Sequence, residues 1–329
     1  MTQTKVDLPV RLLGTASVLP GKRWTTEEVV ARTQTSKTVE EIKAKTGIEA
    51  RNWLEPGQTA AEVCAQALRL ALEDAGMEAT ELRRIIFATS TAGDSFLPPT
   101  SCHIMKHLGL AGTCDCFDMN NACMGFLSGL DLAARSVATG YGPVAVVTVE
   151  CPSWYIKPED PRPYLVFGDA AGAAILGPSE RPDQGVLGVT LGNDPIKGGS
   201  LFLPNPGRTG EPSFFEFRAS NANMGKIALG AVIDSARALL DRTGLTLEDI
   251  DWFVPHQPNG RMLDKMLEQI GLTEDHIVRV VDQIGSTGAA SMATGLAQLL
   301  RRRPVKSGDL VLLAGVGTGI SYGAMLIRV

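Results

Sequence analysis

Residues 68–91 read LRLALEDAGMEATELRRIIFATST, and residues 236–259 repeat the pattern as ARALLDRTGLTLEDIDWFVPHQPN. Each stretch begins as an amphipathic helix that stops at a glycine, Gly76 or Gly244, a residue type common just past a helix C-terminus. A short acidic helical turn follows, and then a strand, predicted at 85–89 in the first copy and at 252–256 in the second. The chain therefore contains the same helix–turn–strand unit twice.

Four further pairs of matching segments occur in the same order in both copies. They are IMKHLGL (104–110) with MLEQIGL (266–272), CMGFLSGLDLA (123–133) with AASMATGLAQL (289–299), PVAVVTVE (143–150) with DLVLLAGVG (309–317), and FGDAAGAAILG (167–177) with GISYGAMLIRV (319–329). Chance similarity would not preserve the order, so the pattern indicates a gene duplication. We predict two halves, residues 1–178 and 179–329.

The alternation of strands and helices predicts an α/β fold with mixed or largely parallel sheets covered on both faces. The runs VAVVTV and LVLLAGV are almost entirely apolar, as is typical of strands buried on both sides. Two such sheets that share a central layer of small-residue helices, predicted at 122–139 and 288–301, form a five-layer α-β-α-β-α sandwich. The segment 186–225 is rich in Gly, Pro and Asn, and we expect it to be a connecting and capping excursion.

Composition excludes several classes of protein. The chain has 329 residues, 44% of them hydrophobic, and a net charge of −5 without a basic stripe, which argues against a nucleic-acid partner. It has no apolar run long enough for a membrane span, and its first residues do not resemble a secretory signal, so we expect a cytoplasmic protein. Cys114 and Cys116 fall in a strand-like alternation rather than in a zinc-binding spacing, so we expect no metal.

Cys123 is the candidate nucleophile. It comes after two asparagines at a predicted strand-to-helix junction, with the helix expected to start at about Ala122. In the first turn of a helix, free backbone N–H groups and the helix dipole favour a thiolate and lower the thiol pKa. The same N–H groups can stabilise the oxyanion that forms when sulfur attacks a thioester. The competing interpretation is a small core cysteine.

His256 is the candidate partner of this cysteine. It ends the apolar strand WFVP, whereas the other three histidines lie in helical or connecting segments. Strand ends at a crevice are where α/β sheets bind ligands, and a thiol nucleophile needs a group that manages its proton. A core histidine is the alternative.

The combination of these motifs resembles the β-ketoacyl-acyl carrier protein synthase III family of the thiolase superfamily. The motifs are LLGTASVLP (12–20), KTGIEAR (45–51), NNACMGF (120–126), VFGDAAGAA (166–174), VPHQPNGRM (254–262) and YGAMLIRV (322–329). The resemblance covers nearly the whole chain. It implies a thiolase-like five-layer fold, a homodimer, no tightly bound cofactor, and thioesters of CoA or acyl carrier protein as substrates.

The resemblance also assigns residues. Cys123 accepts the acyl group, and its own N–H and that of Thr318 form the oxyanion hole. Lys45, Arg162 and Arg261 match basic positions that contact CoA or the carrier. Phe96 matches the residue that, in the family, crosses the dimer interface to line the partner's acyl pocket; a core phenylalanine is the competing interpretation.

One catalytic position departs from the family. Its decarboxylating asparagine is replaced by Ser286, in the sequence Gly285-Ser286-Thr287-Gly288. A serine offers one short donor, and loss of such a donor costs on the order of 10²–10³ in rate. Two interpretations stay open: condensation of the acyl group with a malonyl-type thioester, which we prefer as the family default, or transfer without decarboxylation to an alcohol, amine or preformed carbon nucleophile.

Two other classes are less favoured. A cysteine hydrolase would use the same cysteine and histidine, but the duplicated fold argues against it, and nothing indicates a peptide groove. A non-catalytic partner subunit is disfavoured because both Cys123 and His256 are retained.

Overall fold

The computed structural model describes residues 5–329, except for the side chains of residues 221–223. Residues 1–4, which belong to the predicted first half and to the start assessed for a secretory signal, lie outside the described residues. Strands and helices are numbered in chain order.

Two sheets organise the molecule. The first has the strand order β1 (Val10–Val18), β7 (Ala170–Pro178), β6 (Val144–Glu150), β4 (Arg84–Ala88) and β5 (Asp115–Met119). The second has the strand order β11 (Trp252–Pro255), β12 (Leu310–Gly317), β13 (Ser321–Arg328) and β8 (Gly185–Asn193). Two small ribbons join β2 (Lys22–Thr25) to β3 (Ala50–Trp53) and β9 (Leu201–Phe202) to β10 (Glu216–Phe217).

The helices cover and separate these sheets. They are α1 (Thr26–Val30), α2 (Val39–Thr46), α3 (Ala60–Ala75), α4 (Thr100–His107), α5 (Gly125–Ala138), α6 (Pro161–Tyr164), α7 (Pro206–Thr209), α8 (Asn221–Thr243), α9 (Gly260–Ile270), α10 (Val281–Ile284) and α11 (Ala290–Arg302). Short 3₁₀ turns lie at Ala79–Glu81, Pro152–Tyr155, Leu247–Asp249 and Glu274–His276. The first and third of these turns are the acidic helical turns predicted in the two repeats.

The two sheets are built in the same way. In the first, β1 and β6 pair antiparallel with β7, and β4 pairs parallel with β6. In the second, β8 and β12 pair antiparallel with β13, and β11 pairs parallel with β12. Within residues 5–329, the first sheet alone continues with a further strand, β5, next to β4. The repeated topology agrees with the duplication inferred from the sequence.

The layers have the predicted order. Helix α3 packs on the outer face of the first sheet, α8 packs on the outer face of the second, and α5 and α11 lie between the sheets. Glycines permit the close central packing. A Cβ atom on Gly129 would lie 2.7 Å from Val146 Cγ1, and one on Gly172 would lie 2.6 Å from the Cβ of Ala293. The five-layer sandwich is thus confirmed, and its middle layer depends on small residues at these contacts.

One expectation about the fold was wrong. The beginning of the segment 186–225 is not an excursion, because β8 is a nine-residue edge strand of the second sheet. Its first half is buried and its second half reaches solvent, and Gly188 and Gly192 interrupt its apolar pattern. The rest of the segment does form a cap, with the β9–β10 ribbon and α7, before α8 begins.

No helix among residues 5–329 combines the length and the apolar character that crossing a bilayer requires.

Candidate active site

Cys123 lies in a tight turn between β5 and α5. Ala122 has φ = +47°, in the left-handed region, and the N–H of Met124 donates to the carbonyl of Asn121 at 3.0 Å. Helix α5 begins at Gly125, so Cys123 precedes the helix rather than occupying its first turn. The predicted helix start at about Ala122 was wrong because the left-handed residue delays the helix.

The turn is fixed from both halves of the molecule. The side chain of Asn121 donates to Ser128 Oγ at 2.8 Å and accepts from Ser321 Oγ at 2.7 Å. Strand β12 also approaches from behind, since a Cβ atom on Gly317 would lie 3.0 Å from the backbone nitrogen of Cys123. These contacts hold the cysteine in one orientation.

The pKa of the Cys123 thiol is raised to about 12, mainly by burial and further by the Glu150 carboxylate. The backbone N–H groups of Cys123 and Thr318 oppose this shift because they hydrogen-bond the sulfur. The expectation of a lowered pKa was wrong, since desolvation outweighs the N–H groups. The cysteine is therefore a neutral thiol in the unliganded protein.

The two N–H groups that face the sulfur are the ones predicted to form the oxyanion hole. Thr318 is held in place by its own hydroxyl, which donates to the carbonyl of Leu201 at 2.7 Å. An acyl carbonyl bonded to the sulfur would bring its oxygen close to both N–H groups. Such an arrangement stabilises negative charge on that oxygen.

His256 lies immediately after β11 and is 3% exposed. Its backbone N–H donates to the carbonyl of Ala314 at 2.9 Å, and the neighbouring Gln257 anchors the turn by accepting from the N–H groups of Val280 and Val281. Burial lowers the pKa of the imidazole to about 4. Nδ1 is buried without a hydrogen-bond partner among the described residues. A neutral imidazole thus lines the cavity at neutral pH.

Ser286 is positioned by backbone contacts with the first half. Its N–H donates to the carbonyl of Val166 at 2.8 Å, and its carbonyl accepts from the N–H of Gly168 at 3.1 Å. Its side chain lines the same cavity as Cys123 and His256. Ser286 is therefore brought together with the predicted pair.

The cavity has a volume of about 600 Å³. Cys123, His256, Ser286 and Thr318 line it, together with apolar side chains that include Phe167, Leu201 and Phe217. Lys45, Arg162 and Arg261, predicted to bind CoA or the carrier, also line it. All of these predicted residues except Phe96 therefore surround one space.

The cations of the cavity are clustered and in part pre-oriented. Arg162 donates to the carbonyl of Ala219 at 2.9 Å and stacks 4.0 Å from the ring of Phe217. Arg261 Nε donates to the carbonyl of Ala44 at 2.6 Å. The pKa of Lys45 is lowered, chiefly by Lys37 and also by Arg162. Like charges gathered in this way favour an anionic ligand.

Phe96 lies elsewhere. It is 72% exposed and does not line this cavity, and the adjacent Leu97 is 87% exposed. A contact with the acyl pocket of a second subunit stays a prediction.

Three residues of this region were not identified from the sequence. Lys37 and Lys197 line the cavity as additional cations, and Glu150 is a buried carboxyl that acts on Cys123. An isolated lysine in a surface segment has no local sequence pattern that would indicate a binding site. Glu150 ends an apolar strand, and a charged residue at the end of a buried strand could have drawn attention.

Metal binding finds no support in the described part of the chain, which contains no group of three or more His, Cys, Asp or Glu side chains placed to hold an ion.

A half-buried cysteine whose sulfur faces two backbone N–H groups, with a histidine lining the same cavity, is suited to carrying an acyl group as a thioester. The fold and the chemistry of this cavity together define an acyltransferase of the thiolase type.

Comparisons with known proteins identify the family. The protein-family model of 3-oxoacyl-[acyl-carrier-protein] synthase III matches residues 117–195. The family model of the C-terminal part of this enzyme matches residues 240–329. The β-ketoacyl-[acyl-carrier-protein] synthase III of Caldanaerobacter subterraneus subsp. tengcongensis is 34% identical, over 96% of this chain and 97% of that protein. The chain belongs to this synthase III family.

Solved structures agree. The 3-oxoacyl-[acyl-carrier-protein] synthase III of Aquifex aeolicus VF5 aligns with a TM-score of 0.89 at 28% identity, over 97% of this chain and 100% of that chain. The priming β-ketosynthase of the R1128 polyketide pathway aligns with a TM-score of 0.90 at 31% identity, over 100% of this chain and 98% of that chain. These likenesses confirm the thiolase-like fold.

Proposed function

We propose that this enzyme loads an acyl group from CoA or acyl carrier protein onto Cys123 and condenses it with a malonyl-type thioester. The observation that carries the proposal is a single cavity that gathers Cys123, His256, Ser286 and Thr318 next to a cluster of cations. The first group of residues matches the chemistry of two successive thioester reactions. The cations match an anionic carrier of the acyl group.

Loading begins with a neutral thiol and a neutral imidazole. As the sulfur of Cys123 attacks the thioester carbonyl, His256 accepts the thiol proton, so that no free thiolate has to form in the buried site. The carbonyl oxygen becomes an oxyanion between the N–H groups of Cys123 and Thr318. The donor's carbon–sulfur bond then breaks, and the departing sulfur takes the proton from His256.

Condensation uses the same groups in a second role. The malonyl carboxylate leaves as carbon dioxide, and the electron pair of the broken carbon–carbon bond forms an enolate. The imidazole N–H of His256 and the hydroxyl of Ser286 donate to the enolate oxygen. The enolate carbon attacks the acyl carbonyl, and the released Cys123 sulfur regains a proton from water. Support comes from Ser286, which lines the same cavity as Cys123 and His256.

A second candidate is acyl transfer without decarboxylation. Ser286 favours it, because one hydroxyl provides a single donor where the family uses an asparagine amide. In this case His256 would deprotonate an alcohol, an amine or a preformed carbon nucleophile, which then takes the acyl group from Cys123.

The proposed class of donor rests on the cations. We propose that Lys45, Arg162 and Arg261 bind the phosphates of CoA or of the carrier's phosphopantetheine, since guanidinium and ammonium groups pair strongly with phosphate.

We also propose a homodimer in which Phe96 enters the acyl pocket of the partner subunit. The exposure of Phe96 and Leu97 supports this, because large apolar side chains side by side on a surface commonly mark an interface.

Product analysis separates the two candidates. The protein is incubated with an acyl-CoA and malonyl-CoA labelled in its free carboxyl group. Condensation predicts release of labelled carbon dioxide together with a ketone product two carbons longer than the acyl group. If loaded Cys123 transfers its acyl group only to other nucleophiles and no label is released, condensation is refuted and the second candidate stands.

A further inference from the structure

A buried carboxyl group lies against the loop that carries Ser286. Glu150 ends β6 and is 0% exposed. Its Oε1 accepts from the N–H of Ser90 at 3.0 Å and from the N–H of Ala289 at 3.3 Å, and its Oε2 accepts from Ser90 Oγ at 2.6 Å. Among the described residues no lysine, arginine or histidine forms an ion pair with it. A buried acid of this kind is costly, and its hydrogen bonds offset only part of that cost.

These hydrogen bonds connect the two halves of the molecule. Ser90 comes after β4 of the first sheet, whereas Ala289 directly precedes α11, at the end of the loop that carries Ser286. Gly288 has φ = +48°, and a Cβ atom there would lie 2.9 Å from the carboxyl carbon of Glu150. The loop therefore passes directly over the carboxyl group, and only glycine permits this approach.

The carboxyl group also acts on Cys123. Its negative charge raises the pKa of the thiol, which means that it disfavours the thiolate. Burial raises the pKa of Glu150 itself to about 7, against hydrogen bonds from Ser90, Ala289 and Thr91 that lower it. Near neutral pH the group is thus present both as an acid and as a carboxylate.

Other titratable groups share this part of the core. Burial raises the pKa values of two thiols, Cys64 and Cys151, and Glu150 contributes a smaller part of both shifts. Asp94 acts on both of these thiols, Asp118 acts on Cys64, and Asp169 acts on Cys151. The pKa of Cys123 responds instead to burial, to Glu150 and to its two N–H donors. The response of Cys123 can therefore be assigned to Glu150.

We propose that Glu150 is a positioning residue of the active site, which holds the Ser286 loop against the first half and places a carboxyl group whose charge acts on Cys123. The inference rests on the proposed role of Cys123 as the nucleophile. In its protonated form Glu150 keeps the loop in place without opposing negative charge on the sulfur. In its ionised form it keeps the same contacts but holds the thiol protonated.

The test is the alkylation of Cys123 by iodoacetamide between pH 6 and 10, with mass spectrometry of the peptide that contains this cysteine. Glu150→Gln removes the charge and retains an oxygen that can accept from Ser90 and Ala289. A neighbouring charge shifts a pKa by roughly one unit. We expect Glu150→Gln to move the alkylation profile to lower pH and to speed the reaction about three- to ten-fold at pH 8.

Asp169→Asn is the matched control. Asp169 is also 0% exposed, accepts from both the N–H and the Oγ of one residue, Ser153, and has a pKa that burial raises to about 6. It is not among the charges that act on Cys123. The Cys123 profile of Asp169→Asn should coincide with that of the wild type. If Glu150→Gln and Asp169→Asn give the same profile, the proposal is wrong.

A second variant covers the case in which Glu150→Gln does not fold. Ser90→Ala removes the 2.6 Å hydrogen bond that favours the ionised carboxylate, so it should shift the Cys123 profile in the same direction by a smaller amount. An unchanged profile in Ser90→Ala would contradict the proposal.

Intact-mass analysis with acyl-CoA tests the proposed function separately. Absence of an acyl adduct on Cys123 refutes the proposed function, whatever the alkylation profiles are. An adduct together with unchanged profiles refutes the role of Glu150 alone.

Discussion

Replacing Gly317 by alanine would add a methyl group against the turn between β5 and α5 that carries Cys123. The added Cβ atom would lie 3.0 Å from the nitrogen of Cys123, 3.2 Å from the Cβ of Ala122 and 3.4 Å from the nitrogen of Met124. Non-bonded heavy atoms prefer about 3.5–4.0 Å, so the turn has to move by roughly 0.5 Å. Two of the three contacts are backbone atoms, which cannot rotate away as a flexible side chain would.

This displacement should reduce catalysis more than folding. Oxyanion donors act at about 2.7–3.1 Å, and loss of one donor costs about 10²–10³ in rate. A shift of half an ångström is a partial loss, so we expect acyl loading of Cys123 to slow about 10- to 100-fold. Overpacking in a dense interior should lower the free energy of unfolding by about 1–3 kcal/mol.

Loading is measured by rapid-quench intact-mass spectrometry with an acyl-CoA, and stability by urea denaturation. Gly295→Ala in α11 is the control, because a Cβ atom there meets only Val254 Cγ1 at 3.4 Å. That variant should load at the wild-type rate. If Gly317→Ala also loads at the wild-type rate, the assignment of the oxyanion hole is refuted.

Three further predictions concern Ser286, His256 and the cations. Ser286→Asn should raise carbon dioxide release from malonyl-CoA about 10- to 100-fold and leave the loading rate unchanged; an equal change in both rates would count against its role. His256 has a pKa of about 4 in the folded protein, against 6.5 for the free side chain. Between these values the unfolded chain binds a proton that the folded protein does not. The free energy of unfolding should therefore fall by up to about 3 kcal/mol as the pH drops from 6.5 to 4. In His256→Gln this part of the pH dependence should disappear from denaturation curves. Arg162→Ala should raise the KM for acyl-CoA about 5- to 20-fold, and this increase should be smaller at high salt. Arg11→Ala, which breaks an exposed ion pair with Glu180, should leave the KM unchanged.

The architecture could be predicted because it occurs twice in the chain. The glycines that end matched helices and the apolar runs of β6 and β12 are local signals, and the repetition made each more reliable. Strand β8 was missed because its matching segment, β1, lies at the start of the chain, and two glycines weaken its apolar pattern. Pairing at a sheet edge, not local sequence, makes this segment a strand.

The chemistry of the site could be predicted only in part. Cys123 and His256 each come just after a strand, and strand ends meet at the crevice of an α/β sheet. The direction of the Cys123 pKa shift could not be predicted, because it depends on burial and on Glu150, which is 27 positions away in the sequence. The hydrogen bond from Ala289 in the Ser286 loop to Glu150 joins residues 139 positions apart, and neither segment has a local sequence pattern that predicts it.

The central claim is that the sulfur of Cys123 carries the acyl group. Intact mass spectrometry after incubation with an acyl-CoA tests it directly, with Cys123→Ala beside the wild type. We predict a mass increase of one acyl group on the wild type, located on the peptide that contains Cys123, and none on Cys123→Ala. An acyl adduct that persists in Cys123→Ala, or a wild type that never acquires one, would contradict the account.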